Sequence, residues 1–173
     1  MRTIAALAEK ADLDAISQAI TEYSKAHPEP MPDYYCDHKI LDAVPAFYLG
    51  LAKRKGIQVT TKLIFPESLP VNETDLAAAL SNALENVIHA CEKIEMPKRY
   101  IEVKSITHPQ FMLQVRNSFD GLIAFDEDGI PLTARKDHGF GTRSIVAFCR
   151  QTNAFYEFSA VENEFTLRLI FHK

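Results

Sequence analysis

The stretch LSNALENVIHAC, residues 80–91, decides how the chain is read. It has helical spacing, yet it carries Asn82, Glu85, Asn86 and His89. Asparagine costs about 0.5 kcal/mol against alanine in a helix interior. The spacing predicts one helix over residues 73–95. On a wheel of about 100° per residue, Leu76, Leu80, Leu84, Val87, Cys91 and Ile94 form one side of it. Asp75, Asn82, Glu85, Asn86, His89 and Lys93 form the other. The asparagines therefore lie off the core face. A plain solvated face accounts for this pattern. Such faces, however, are ordinarily built from Lys, Glu and Gln, which favour helix. Two short amides and a histidine at i, i+4 and i+7 form instead a row of compact oxygen and nitrogen groups on a rigid element. Amide oxygens are hard ligands of the kind Mg²⁺ takes alongside waters and phosphates. Both readings stand at this point.

Downstream of this helix, YIEVKSI and FMLQVRNS alternate around Thr107-His108-Pro109-Gln110, the pattern of a β-hairpin. FYEFSAV and EFTLRLIF form a second hairpin with its turn at Glu162-Asn163-Glu164. Between the hairpins, a long polar, glycine-bearing segment leads into a helix starting near Gly141. Loops of that length are uncommon unless functional. Upstream, HKILDAVPAFYLGLAKRKG reads as a helix stopped by Gly56, with Pro45 either kinking it or marking its first turn. IQVTTKLIF follows as a strand. Residues 2–27 carry Ile4, Leu7, Leu13, Ile16, Ile20 and Tyr23 at helical spacing, with Asp12 placed to cap a second helix. Pro28, Pro30 and Pro32 then break the chain. The expected domains are a helical segment, residues 1–30, and a mixed domain, residues 31–173. The mixture of helices and hairpins implies an α/β (α+β) two-layer sandwich.

Composition narrows the function. A net charge of -4 gives no nucleic-acid surface. No apolar run approaches the roughly 18 residues of a membrane span, and the opening MRTIAALAEKADLD turns polar too early for a signal peptide. Cys36, Cys91 and Cys149 are scattered and lack metal-ligand spacing. A cytoplasmic, reduced protein is expected.

Two further segments carry chemistry. HGFGTRSIVAF, from His138, puts Gly139 and Gly141 where the loop enters a helix, with Lys136 and Arg143 beside them. A helix N-terminus offers free N–H groups and a positive dipole end, and glycine lets a phosphate approach it. A simple turn explains the glycines equally well. NSFDG, from Asn117, ends a strand; it is either a turn or a pocket floor where the Asn117 amide oxygen accepts from an adenine amino group.

In this order, the Asn-bearing helix, the NS-x-x-G strand end and the loop closing on HG-x-G resemble the ATP-binding domain of sensor histidine kinases. That domain belongs to the GHKL superfamily, with gyrase, the heat-shock chaperone and mismatch-repair ATPases. The resemblance is narrower to the peptide-pheromone quorum-sensing branch: NALENVIHAC matches its NLLDNAIEAC, NSFDG its NS-x-x-G and KDHGFGT its HGIGL segment. It covers the chain from about Asp37 onward and implies a Bergerat-type mixed sheet with helices on one face.

The resemblance implies ATP and Mg²⁺ as cofactors. Asn86 matches the Mg²⁺ ligand, Asn82 the polar residue one turn earlier, Glu85 an acidic residue that helps polarise the acceptor, and His89 a phosphate contact. Asn117 stands in the place of the adenine-reading Asp, and Gly121 in that of the box's second glycine. Lys136, His138, Gly139 and Gly141 fall in the second glycine box, and residues 119–138 in the ATP lid. Phe119 stands where the common box has its first glycine, and Thr142 where a Leu is usual. The implied function is transfer of the γ-phosphoryl of ATP to a His on a dimerisation helix. No motif for that acceptor His is present, so residues 1–30 read as a partial hairpin. The chain then reads as a fragment that binds nucleotide without autophosphorylating. Its implied partners are its own dimerisation domain, a response regulator and a second copy of itself, within a membrane-anchored parent. The alternatives are a degenerate GHKL domain acting as a phosphotransfer or docking scaffold without ATP, a serine kinase of the anti-sigma type, and an unrelated α/β domain with an amphipathic helix.

Overall fold

The computed structural model describes residues 34–132 and 140–172, with the side chain of Phe140 excepted. The chain divides into two compact units, Met1–Asp33 and Tyr34–Lys173. The expected N-terminal helices lie outside the described residues, as do Lys136, His138 and Gly139.

The second unit runs α1 (Lys39–Arg54), β1 (Gln58–Lys62), α2 (Glu73–Cys91), β2 (Tyr100–Ile106), β3 (Phe111–Ser118), α3 (Phe140–Thr152), β4 (Phe155–Val161) and β5 (Glu164–Phe171). The five strands form one mixed sheet in the order β1-β2-β3-β5-β4. β1 and β2 are parallel and the other pairs antiparallel. Both expected hairpins form, β2–β3 and β4–β5. The fold is the expected α/β sandwich. Alternation puts Ile101, Val103, Leu113, Val115, Leu167 and Leu169 on the face covered by the helices. Leu76, Leu80 and Leu84 of α2 are fully buried against that face, each contributing about 1.5–3 kcal/mol. Among the described residues, no helix is long and apolar enough to cross a membrane.

The ends of α2 follow from local chemistry. Asn72 caps its start, its side-chain oxygen accepting from the N–H groups of Thr74 (2.9 Å) and Asp75 (3.3 Å). The helix stops at Cys91, short of the expected residue 95. The Arg99 guanidinium donates to the carbonyls of Ile94 (2.5 Å), Glu92 (3.2 Å) and Lys55 (3.4 Å). It thereby satisfies carbonyls just beyond both α1 and α2, and the chain turns away there. Pro45 sits inside α1, buried in the core, not in its first turn.

Candidate functional site

The end of β3 carries the one polar side chain in an otherwise apolar series. Phe111, Leu113, Val115 and Asn117 point to the helix layer, and all are buried. Asn117 pairs in register with Ile101 on one side and Phe165 on the other. It is 0% exposed. Its Nδ2 donates to the Ser118 carbonyl at 2.7 Å. Its Oδ1 is buried and accepts no hydrogen bond from the described residues. A buried acceptor left in that state costs about 1–3 kcal/mol, a cost that a ligand N–H or an ordered water would offset.

Asn117 belongs to the lining of a cavity of about 360 Å³, within the range of small-molecule sites. α2 supplies one wall. Ala83, Val87 and Ala90 lie at helical spacing, and their small side chains leave the room; Asn86, His89 and Lys93 edge it. β4 and β5 supply Phe158, Phe165 and Leu167, and α3 supplies Gly141, Thr142 and Ile145. Phe119, Ile123 and Pro131 complete it from the β3–α3 connection. The interior is therefore apolar with one deep acceptor, and the exposed amide, imidazole and ammonium stand at its α2 edge.

The β3–α3 connection is folded over residues 124–132. Phe125 bridges Pro131, and Leu132 N–H donates to Ala124 O at 2.8 Å. Asp126 Oδ1 accepts from the N–H groups of Asp128 and Ile130, and Gly129 takes φ +73°, the left-handed turn position. Arg150 on α3 pairs with Asp128 at 3.2 Å and holds this turn to the body.

Of the expected site residues, Asn86, His89, Asn117 and Gly141 come together around the cavity. Gly141 has a specific reason to be glycine. A Cβ there would stand 2.7 Å from Asn86 Nδ2 and 3.0 Å from its Oδ1, so the glycine seats the amide of Asn86. Asn82, Glu85 and Gly121 are not in the lining. Asn82 Nδ2 donates to Ser144 Oγ at 3.2 Å and ties α2 to α3. Glu85 is exposed. Gly121 has φ +118°, a backbone that L side chains avoid, and lies against the ring of Phe119. The aromatic lining was not recognised in the sequence. Strand alternation signals that Phe158, Phe165 and Leu167 share a face, but not that β5 lies beside β3.

Behind Asn117, Cys91 Sγ lies 3.3 Å from the Tyr100 carbonyl and 3.7 Å from that of Ser118, and Ser118 Oγ accepts from Tyr100 N–H at 3.0 Å. Burial raises the Cys91 thiol above its ordinary range, so it stays a neutral packing group. Burial pushes Cys149 up to about 11. Among the described residues, no group of three or more His, Cys, Asp or Glu side chains could hold a metal. A hard cation at this site would depend on the amide oxygen of Asn86 together with ligand oxygens and water.

A family model described as the GHKL domain, HATPase_c_5, matches residues 71–172. No curated protein matches the chain in sequence. Similar solved structures include the catalytic domain of histidine kinase ThkA, at 14% identity and a TM-score of 0.59, covering 78% of this chain and 92% of that one. Acinetobacter baumannii histidine kinase AdeS is 10% identical with a TM-score of 0.55, covering 95% and 80%. The cytoplasmic segment of histidine kinase QseC is 12% identical with a TM-score of 0.54, covering 92% and 94%. At these identities the likeness is one of fold.

Proposed function

The chain belongs to the GHKL domain family, and on that premise we propose that it is the ATP- and Mg²⁺-binding catalytic domain of a sensor histidine kinase of the peptide-pheromone quorum-sensing branch. One observation carries the reading: the buried, unpartnered Oδ1 of Asn117 at a cavity whose α2 edge bears Asn86 and His89. The residues fit a purine nucleotide. Asn117 Oδ1 accepts an N–H from the base, and the apolar walls exclude water from around it. Asn86 offers a hard oxygen to the metal, and Gly141 holds that amide in place. A Mg²⁺ held by the Asn86 amide oxygen with phosphate and water oxygens would offset the charge that develops as the γ-phosphoryl moves. The first-turn N–H groups of α3, with the positive end of its dipole, favour the phosphates. His89 edges the same cavity. The family resemblance assigns phosphate contacts to it and to Lys136, His138 and Gly139, the last three of which lie outside the described residues. Asn82 locks α2 to α3, and Glu85, next to Asn86, helps polarise the acceptor.

In this reading the accepting imidazole lies on a dimerisation helix, of which residues 1–30 keep a part, and a response regulator receives the phosphoryl group. The chain is a cytoplasmic piece of a membrane-anchored receptor and binds nucleotide without phosphorylating itself. The close seat of Asn86 on Gly141 favours a second reading, a GHKL scaffold in which that glycine serves packing alone. Calorimetric titration with a non-hydrolysable ATP analogue separates the two. The kinase reading expects saturable one-site binding that needs Mg²⁺ and is sharply weakened by Asn86→Ala. No binding at millimolar nucleotide leaves the scaffold.

A further inference from the structure

Phe119 stands where the common glycine box has its first glycine, and it lines the cavity two residues from Asn117. Three features set its position. Its N–H donates to the Asn163 carbonyl at 2.7 Å, which pins the backbone to the β4–β5 turn. Its ring tip stands 3.7 Å from where a Cβ of Gly121 would be, and Gly121 at φ +118° keeps that space clear. The ring is half-buried, unlike the neighbouring Leu122, which is fully exposed.

The wall contributed by α2 is aliphatic, built from Ala83, Val87 and Ala90. It offers width without an aromatic face. A flat heteroaromatic whose amino edge is held by Asn117 needs apolar cover on its faces. Phe119 comes from the same strand end as Asn117 and reaches the cavity from the β3–α3 connection, whereas Phe165 is the register partner of Asn117 in the sheet. Phe158 and Phe165, the other rings of the lining, belong to β4 and β5.

We propose that Phe119 is a base-stacking residue of this site, its ring covering one face of a purine whose amino group bonds to Asn117. This rests on the nucleotide-binding reading and adds the residue that grips the base. Gly121, which does not reach the cavity, becomes a positioning residue for that ring.

The chain contains no tryptophan, so Phe119→Trp places a single, selectively excitable indole at the proposed stack. Wild type, F119A, F119L, F119Y and F119W are titrated by calorimetry with adenosine and with a non-hydrolysable ATP analogue plus Mg²⁺, and their folding is checked by circular dichroism. Phe119→Ala and Phe119→Leu are expected to weaken both ligands by the same factor, roughly ten-fold for one lost stack. F119Y should bind like wild type, and the F119W emission should be quenched on titration. Equal affinity of wild type and F119L, or unchanged F119W emission while calorimetry records binding, overturns the proposal. If wild type binds neither ligand, the nucleotide reading itself fails and takes the stack with it.

Discussion

The two faces of the sheet treat polar side chains in opposite ways. On the outer face charged groups meet charged groups, although Glu102 Oε1 and Arg116 Nε, like Asn117 Oδ1, are buried without a hydrogen bond among the described residues. Glu102 meets Arg116 at 3.0 Å and Lys104 at 2.7 Å, Arg168 joins Glu157 at 2.8 Å and Gln114 at 2.9 Å, and Tyr100 bonds to Glu164. Burial and this bond to Glu164 raise the Tyr100 phenol well above its usual range. On the inner face Asn117 stands among apolar residues with its acceptor unused. The outer atoms sit within a charge network, whereas Asn117 lines a mainly apolar cavity. In the proposed reading the outer face is architecture and the inner face a site.

The largest effect comes from removing the unused acceptor. Asn117→Leu should lower affinity for an ATP analogue by roughly 100-fold or more, because the base loses its partner. The same change should leave stability within about 1 kcal/mol of wild type, since it removes an unsatisfied buried group. Calorimetry and urea melts read the two quantities separately. A variant that unfolds readily but still binds would make Asn117 structural and erase the contrast.

Next comes Gly141→Ala. Its Cβ would displace the Asn86 amide, which lies 2.7 Å away. The Mg²⁺-dependent part of nucleotide affinity should fall by about ten-fold, the scale of one misplaced ligand group. Adenosine, which carries no phosphate, should bind as before.

The outer face predicts the reverse pattern. Arg116→Ala leaves Glu102, with a side chain only 13% exposed, with Lys104 alone. Stability should fall by about 1–2 kcal/mol, and nucleotide affinity should not change. A comparable loss of affinity would mean that the two faces are coupled.

The smallest effect is one of pH. Burial raises the Cys149 thiol in the folded state from 9.0 to about 11. Between those values the folded state holds a proton that the unfolded chain has released, so stability falls as pH rises through this window. Below pH 9 the contribution is fully present. Cys149→Ala should flatten that part of the stability profile, measured by urea melts at stepped pH.

The sequence made α2 legible because its two faces differ in kind: leucines recur at helical spacing on one, and amides occupy the other. Asn117 was legible for a similar reason. It extends the strict alternation of Phe111, Leu113 and Val115 by one polar step, so its inward direction follows from period two alone. Gly141 was marked as special, yet its observed contact is with Asn86, a neighbour only folding creates. The aromatic walls were hidden for the same cause. Phe158, Phe165 and Leu167 reach the cavity because β5 inserts between β3 and β4, and strand order leaves no local trace in sequence. The turn at residues 124–132 does not stand out within the long polar segment that the sequence shows between the hairpins. Its fold depends on Asp126 bonding its own backbone and on Arg150 some twenty residues away, an ion pair that sequence spacing does not signal.

The account rests on a single oxygen, and the unaltered protein can test it. Non-hydrolysable ATP and ITP analogues differ in what they present at the purine 6-position, an amino donor in one and an oxo acceptor in the other. Because Asn117 Nδ2 is held by the Ser118 carbonyl at 2.7 Å, the side chain offers Oδ1 and cannot turn to donate without losing that bond. Titration of both with Mg²⁺ should show saturable binding of the adenine form and at least roughly 100-fold weaker binding of the other. Equal affinities, or no binding of either, would contradict the claim that this buried acceptor exists to read a base.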